Sequence, residues 1–380
     1  MSGEKEFFTV LDCGDTAQCS LTPDDREEPI EYAGAANWSD GELQTPAGPV
    51  YRIKTKLDRQ DIAGAWKARW GIGRMSYRIP PALYAVGDPG EQSPVLVSAN
   101  YKLSFDYLRR ELSGLNLWVL VIDTKGINVW CAAGKGTFGT AEVVRRIEKS
   151  RLQEVVAHRN LILPQLAAPG VAAHEVRRLS GFKVNYGSVR AKDIPAYLHA
   201  AGKVEPAMRS TRFGLMDRLV LTPVELANLC RPLLGLTVAL LLLNLAALLL
   251  KKEPFSLASL TGITFSGLLP FLGAVLAGAV LAPALLPYIP GRALSWKGWF
   301  LGALWTLAYT LLIMPQAGWL QTAAYFLILP ALAAFLAMNF TGSTTYTSLS
   351  GVIKEMGVAL PTIILSASLG SIAFIAAFFI

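Results

Sequence analysis

Two patterns of apolar residues divide the chain. As far as about Cys230 they come in short runs broken by charges; from Pro232 onward they are almost continuous. In the first stretch, β-branched or apolar runs at 95–98, 117–122, 160–163, 182–186 and 218–221 predict strands. Helical spacing between them predicts helices at 105–112, 141–152, 171–179 and 194–201, with Ser104 and Thr140 as N-cap candidates for the first two. Strands alternating with helices of about ten residues imply a parallel sheet covered by helices, a Rossmann-like α/β domain. Ligands bind outside the carboxyl ends of the strands in such a sheet. Segments 98–104, 124–135, 164–169 and 187–191 leave strands at that edge and are expected to gather there.

In the second stretch, runs at 233–250, 266–288, 298–314, 320–338 and 358–380 are long enough to cross a bilayer, which takes roughly 20 apolar residues. No polar faces alternate with them, as buried helices of a large globular domain would require. Tyr288, Trp296, Trp299 and Trp319 mark several ends, as interfacial belts do. The expected organisation is an irregular extension over 1–60, rich in Gly, Pro and acids, then the α/β domain over 61–230. An all-α transmembrane domain of five helices follows over 231–380. Arg209, Arg212, Arg218 and Arg231 precede the first run, and Arg292 and Lys297 lie between the second and third. They outweigh Lys251 and Lys252 and predict a cytoplasmic N-terminal domain with the C-terminus outside. Residues 1–12 lack the apolar core of a signal peptide, which agrees.

The 380 residues carry a net charge of +7, yet charges up to Cys230 nearly balance, so nothing suggests a nucleic-acid surface. Cys13, Cys19, Cys131 and Cys230 form no close pairs. A disulfide framework is not expected in a reducing cytosol, and without Cys-x-x-Cys the chain is not expected to hold an iron–sulfur cluster by itself. Transport pathways usually carry ionisable groups within the membrane, and the five runs contain none. Asn244, Gln321 and Asn339 are more simply helix–helix hydrogen bonds.

The chemistry converges on Asn128-Val129-Trp130-Cys131-Ala132-Ala133-Gly134-Lys135, where a strand gives way to a helix. Ala132, Ala133, Gly134 and Gly136 let a flat ligand approach the backbone, and Cys131 offers a soft sulfur suited to a metal's axial position. A lone cysteine at such a junction is more often packing. Lys135 and the helix N-terminus after Thr140 favour a thiolate and argue for chemistry instead. The Ala-Gly-Lys-Gly-Thr stretch is not a phosphate loop, because Val129 stands where the first Gly belongs and Gly136 follows the Lys. His199-x-x-Gly202 is half of a cobalamin-ligand signature, but Tyr197 replaces its Asp, so His199 is expected near a helix C-terminus without that role. His158 and His174 have no partners at metal-ligand spacing. Cys13 and Cys19 make a weak pair in a loose tail, and Cys230 reads as a small apolar filler.

The octapeptide resembles, at every position, the cap-helix signature of the HgcA family, the corrinoid proteins that methylate mercury. The resemblance extends through Ser98-Ala99-Asn100-Tyr101-Lys102-Leu103-Ser104, Asp123-Thr124-Lys125-Gly126, 161–166, 181–187 and a five-span tail, roughly from Trp70 to the end. The related corrinoid iron–sulfur proteins of the acetyl-CoA pathway share the Ala-Ala-Gly-Lys core, but are soluble, carry their own cluster and lack this Cys. The resemblance implies cobalamin or a related corrinoid, bound base-off against Asn128–Lys135, with Cys131 as the lower axial ligand to cobalt. Backbone groups of Val129, Ala132 and Ala133 and the hydroxyls of Ser98 and Ser104 would hold the macrocycle. Asn100, Thr124, Asn128, Trp130, Gly134, Lys135, Tyr186 and Gly187 complete the implied site.

The implied activity is a methyltransferase that passes a methyl group from cobalt to Hg(II). It implies a ferredoxin-like partner with two 4Fe–4S clusters as electron donor, a methyl donor from one-carbon metabolism, and the inner (cytoplasmic) membrane. Two alternatives stay open. One is a corrinoid methyltransferase for another soft acceptor; the other is a membrane-anchored cytoplasmic module that senses a nucleotide.

Overall fold

The computed structural model describes residues 37–200, 202–210, 213–251, 256–341 and 349–379. Two units divide it, Met1–Gln60 with Tyr77–Arg209, and Asp61–Ser76 with Ser210–Ile380. Segments 61–76 and 210–230, expected within the α/β domain, therefore belong to the helical unit.

Among the described residues seven strands form one sheet, four from the apolar runs at 95–98, 117–122, 160–163 and 182–186 and three that those runs did not predict. They are β1 (Ser39–Thr45), β2 (Gly48–Ile53), β3 (Leu83–Val86), β4 (Val95–Ala99), β5 (Leu117–Ile122), β6 (Asn160–Leu163) and β7 (Lys183–Tyr186), ordered β1-β2-β3-β5-β4-β6-β7. Every residue of β4 and β5 is buried, the pattern a strand covered on both faces requires. β4 runs parallel to β5 and β6, and β6 to β7, as the alternating pattern predicts. The sheet is nevertheless mixed, because β3 is antiparallel to β5 and β1 to β2.

Three expectations change. Residues 39–53, expected to be irregular, form a hairpin whose Gly48 turns at φ 114° and whose second strand joins β3. Its polar alternation (Glu42, Gln44) hides the strand from a search for apolar runs. The run at 218–221 is not a strand; it overlaps a short helix, Leu215–Leu219, whose start is closed by the Gly214 N–H donating to Asp217 at 3.0 Å. The expected cap at Ser104 falls inside its helix, which begins at Lys102. The Cys13–Cys19 pair lies outside the described residues.

Helices α1 (Arg59–Arg69), α2 (Lys102–Glu111), α3 (Val129–Gly134), α4 (Thr140–Lys149), α5 (Leu152–Val155), α6 (Ala173–Ser180), α7 (Ile194–His199) and α8 (Leu215–Leu219) follow. Phe105, Leu108 and Leu112 of α2 pack with Leu96, Val119 and Val121 on one face of the sheet. Val143, Ile147 and Val176 of α4 and α6 pack with Val97, Leu120 and Leu161 on the other. The chain thus leaves β4 over one face to reach β5 and returns over the opposite face to β6. At the carboxyl ends of β4 and β6 this reversal opens a crevice.

The helical unit holds α9 (Thr222–Lys251), α10 (Leu257–Leu276), α11 (Leu294–Ala308), α12 (Trp319–Met338) and α13 (Leu349–Phe379). Four stretches among the described residues are long and apolar enough to cross a membrane: Leu215–Leu250, Leu257–Ala284, Trp319–Met338 and Gly351–Ala377. The expected span at 298–314 is not one of them. It corresponds to α11 and a π-helical continuation, Tyr309–Ile313, and its first turns carry Trp296, Lys297 and Trp299. The Lys297 ammonium is buried there against the Leu286 carbonyl. Leu286, Leu294 and Phe340 form one cluster with Leu221, and the Ser295 N–H donates to Glu355 at 2.6 Å. The starts of α9, α11 and α13 therefore meet the segments following α10 and α12, so the five helices alternate in direction.

Candidate functional site

β5 ends at Ile122, and the chain must turn sharply to start α3. Lys125 and Gly126 make that turn in the left-handed region, at φ 57° and 72°. A fully buried carboxamide holds it from beneath. Asn100 Oδ1 accepts from the N–H groups of Thr124 (3.1 Å) and Gly126 (3.0 Å), while its Nδ2 donates to Asp123 Oδ1 at 3.0 Å. The Thr124 hydroxyl donates to the Ile127 carbonyl at 2.7 Å, and Glu142 of α4 accepts the Asp123 N–H at 2.8 Å. Asn100 and Thr124, implied as cofactor contacts, spend their polar groups on shaping the loop.

Asn128 is then the N-cap of α3. Its backbone is extended (φ −65°, ψ 159°) and its Oδ1 accepts the Cys131 N–H at 2.9 Å. Six residues make too short a helix to persist alone. Ala132 and Ala133 are buried in the core beneath it, and the Phe138 N–H donates to the Ala132 carbonyl at 3.1 Å. Gly170 presses on it from the loop after β6: a Cβ there would stand 2.9 Å from both Cα and O of Ala133. The outer face carries the chemistry. Trp130 is exposed, Cys131 is a partly exposed free thiol, and nothing stands within 4 Å of where a Cβ would project at Gly134 or Gly136. Lys135 is exposed and forms no ion pair among the described residues. Gly139, not the expected Thr140, is the N-cap of α4, and no side chain caps that end; the Thr140 hydroxyl instead accepts the Ala172 N–H at 2.9 Å.

A cleft of about 370 Å³ adjoins the first turn of α3. Its wall is mostly apolar, with Ser98 from the end of β4, Asn128–Trp130 after β5, Leu163 and Pro164 after β6, and Gly187–Val189 after β7. The four segments expected to gather do meet at the carboxyl edge. The hydroxyls of Ser98 and Ser104, both on this wall, have no hydrogen-bond partner among the described residues. A Cβ at Gly187 would lie 3.1 Å from Ile162 Cγ2, a tight contact that Ile162 would have to relieve by a few tenths of an ångström. Cys131, Ala132, Ala133, Gly134 and Lys135 belong to α3 beside the cleft and do not line it. Tyr186 faces a neighbouring polar hollow with His158, Asn160 and Arg209; its hydroxyl donates to the Val171 carbonyl at 2.6 Å, and burial pushes its phenol up.

Sequence reasoning missed Gly170, Glu142 and the lining residues Ile194 and Tyr197. None has a motif; a close approach or a shared wall appears only in three dimensions. His199 ends α7, as expected, and His158 is held by the Ser93 carbonyl (2.8 Å) and the Asn160 N–H (3.2 Å).

Fold and site define a mixed α/β sheet domain with a ligand cleft at its switch point, in a chain that continues into long apolar helices. Residues 74–198 match the family described as CdhD: CO dehydrogenase/acetyl-CoA synthase delta subunit. The chain is 33% identical over 131 residues to the acetyl-CoA decarbonylase/synthase complex subunit gamma of Methanopyrus kandleri, covering 34% of this chain and 28% of that one. It is 32% identical over 127 residues to the corresponding subunit of Archaeoglobus fulgidus, covering 33% and 27%. With subunit gamma 2 of Methanosarcina thermophila it shares 37% over 99 residues, 25% of this chain and 21% of that one. The α/β segment that carries the cleft is thus a relative of these subunits, and the chain spans little more than a quarter of the first two relatives' length. The long apolar helices lie beyond the matched segment.

Proposed function

We propose that this chain is a membrane-anchored corrinoid protein that transfers a methyl group to Hg(II), with Cys131 as the lower axial ligand to cobalt. One observation carries the reading: the complete Asn128–Lys135 signature forms α3 at the carboxyl edge of the sheet, with Cys131 accessible on it. The residues present suit such a ligand. A soft sulfur stands beside open space over Gly134 and Gly136, and two unpartnered hydroxyls, Ser98 and Ser104, face the adjoining apolar cleft.

When bound, the corrinoid supplies a methyl group carried on cobalt, which is chemistry no side chain here provides. The protein supplies the platform. Asn128 holds the Cys131 backbone, the buried alanines fix the underside of α3, and the Asn100–Asp123–Glu142 tether fixes the turn before it. Hg(II) is an electrophile, and Cys131 would hold the metal through a soft, electron-rich sulfur that suits such an acceptor. Ser98 and Ser104 would bind polar edges of the ligand, and Trp130 would shield it from water. The long helices anchor the chain in the cytoplasmic membrane with the α/β domain inside. A ferredoxin-like protein with two 4Fe–4S clusters supplies electrons, and one-carbon metabolism supplies the methyl group.

The test is anaerobic loading of the purified full chain with corrinoid, followed by spectroscopy and a methylmercury assay with a reduced ferredoxin. Wild type is expected to bind corrinoid with sulfur on cobalt. Cys131→Ala is expected to keep some corrinoid and lose methylmercury formation. A colourless wild-type protein would sink the reading, and a Cys131→Ala protein with undiminished activity would sink the axial role. The similarity over residues 74–198 favours a second reading, methyl transfer to a different acceptor within a larger assembly. Loaded protein that never yields methylmercury would select it.

A further inference from the structure

The helical unit begins with a segment that the site does not use. Residues 61–76 carry Ile62 and Trp66 one turn apart on α1 and Trp70 just after it, followed by Ile72 and Met75. Ile62, Trp66, Ile72 and Met75 are each between 58% and 68% exposed, whereas Asp61 and Ala68 are buried. This helix therefore turns its small residue and its acid inward and its large apolar residues outward, the reverse of a helix packed on a core. Trp66 and Trp70 lie against each other with ring centroids 5.8 Å apart. Lys67 is exposed and Arg69 and Arg74 are half-buried, against one acid, the buried Asp61, so the segment is net basic and its accessible side aromatic.

Its place is fixed relative to the long helices. A Cβ at Gly71 would lie 3.8 Å from Val224 of α9, next to the start of that helix. The same end of the unit carries α8, clamped by Arg218, whose guanidinium donates to the carbonyls of Ala284 (2.7 Å) and Pro283 (3.2 Å). α8 turns Leu215 and Met216 outward, at 47% and 72% exposure. Tyr288 is exposed there too, and the indoles of Trp296 and Trp299 stack at 5.3 Å. Aromatic side chains, isolated apolar ones and cations thus collect at the level where the long helices begin and end.

We infer that α1 and α8 form an in-plane collar seated in the headgroup layer of an anionic phospholipid membrane. An interfacial helix needs an outward apolar face, aromatic rings with a polar edge and cations for the lipid phosphates, and this segment has all three. The collar is continuous with the apolar helices and basic where a lipid surface is acidic, which favours lipid over a second copy or a protein partner. The inference rests on the reading of the long helices as membrane spans.

A photo-crosslinking experiment separates the two. The photoreactive residue benzoylphenylalanine replaces Trp66, Ile72 or Leu365 in the full chain, which is reconstituted into phosphatidylglycerol or phosphatidylcholine vesicles and irradiated. Leu365, exposed on α13, reports the spans; Trp66 and Ile72 report the collar. Lipid adducts at all three positions, with collar adducts several-fold more abundant in phosphatidylglycerol, support the inference. Adducts at Leu365 alone, or collar adducts to protein, overturn it while leaving the spans intact. Equal collar adducts in both lipids overturn its anionic preference. No lipid adduct at any position overturns the membrane reading itself.

Discussion

Replacing Asn100 tests whether the turn before α3 is held from beneath. Asn100→Ala removes the acceptor for two N–H groups, Thr124 and Gly126, and the donor to Asp123. Asn100 and Thr124 are fully buried and Gly126 is buried, so water does not readily replace the lost partner. A buried donor left unsatisfied costs about 1–3 kcal/mol. With partial relaxation of two such groups, local opening becomes easier by about 2–4 kcal/mol, which is roughly 30- to 1000-fold in an equilibrium constant. Hydrogen exchange followed by mass spectrometry on the full chain in detergent reads this directly, in peptides covering 123–134. Asn100→Asp keeps the acceptor geometry but turns an oxygen toward Asp123, so it should protect Thr124 and Gly126 better than Ala and less well than Asn. Unchanged exchange in Asn100→Ala would refute the tether. Faster exchange with undiminished corrinoid loading would show that the turn does not position α3.

Gly170→Ala should lower the Tm of the α/β domain by an amount equivalent to about 1–3 kcal/mol, because its Cβ would meet backbone atoms of Ala133 that cannot swing aside. Cys131 should then be alkylated faster by a thiol reagent; unchanged Tm and reactivity would contradict the close approach. Tyr186→Phe should cost about 1 kcal/mol at neutral pH through loss of the bond to Val171. The Tyr186 phenol is raised by burial, so its contribution is complete below the ordinary value of 10.0 and is lost as pH rises from there through the folded value. An alkaline stability profile identical in wild type and Tyr186→Phe would refute that assignment.

Much of the first unit was legible in the sequence because its strands are buried on both faces. β4 and β5 are uninterrupted apolar runs, and Leu117–Ile122 is found with the bounds expected of it. β1 and β2 were not legible, since an edge hairpin with one wet face mixes Glu42, Gln44 and Arg52 among its apolar positions. The site divides the same way. Ser98, Ser104, Asn128, Val129, Trp130 and Gly187 line the cleft, and Cys131 stands on the short helix that the resemblance implied. Asn100, Thr124 and Tyr186, named with them by the resemblance, hydrogen-bond within the protein, and a sequence motif cannot say which way a polar atom points. Gly170 had no signal at all, because the crowding that requires it comes from the backbone of Phe138 and Ala133, more than thirty positions earlier in the chain.

That division has a chemical consequence. Hydrogen bonds made inside the protein compete with bonds to a ligand: Asn100 and Thr124 hold the turn before α3, and the Tyr186 hydroxyl holds the Val171 carbonyl. On the proposed reading, recognition would fall to Ser98, Ser104, the exposed Trp130 ring and one sulfur. Few donors facing an apolar cleft suit a large ligand held mainly by shape and by one strong directional bond. For that bond to matter, its donor must not yield when the ligand's demand changes. A six-residue helix would yield if it stood alone. α3 instead has its first turn capped by Asn128, its underside buried through Ala132 and Ala133, its flank pressed by Gly170 and its approach pinned by Asn100. Cys131→His keeps that platform and changes only the donor, so its activity measures donation, whereas Gly170→Ala keeps the donor and loosens the platform. If donation governs transfer, the His variant should retain more activity than Cys131→Ala at equal corrinoid loading. Equal inactivity of the two, with cofactor bound in both, would mean that the sulfur's electron push is not what this short helix was built to hold.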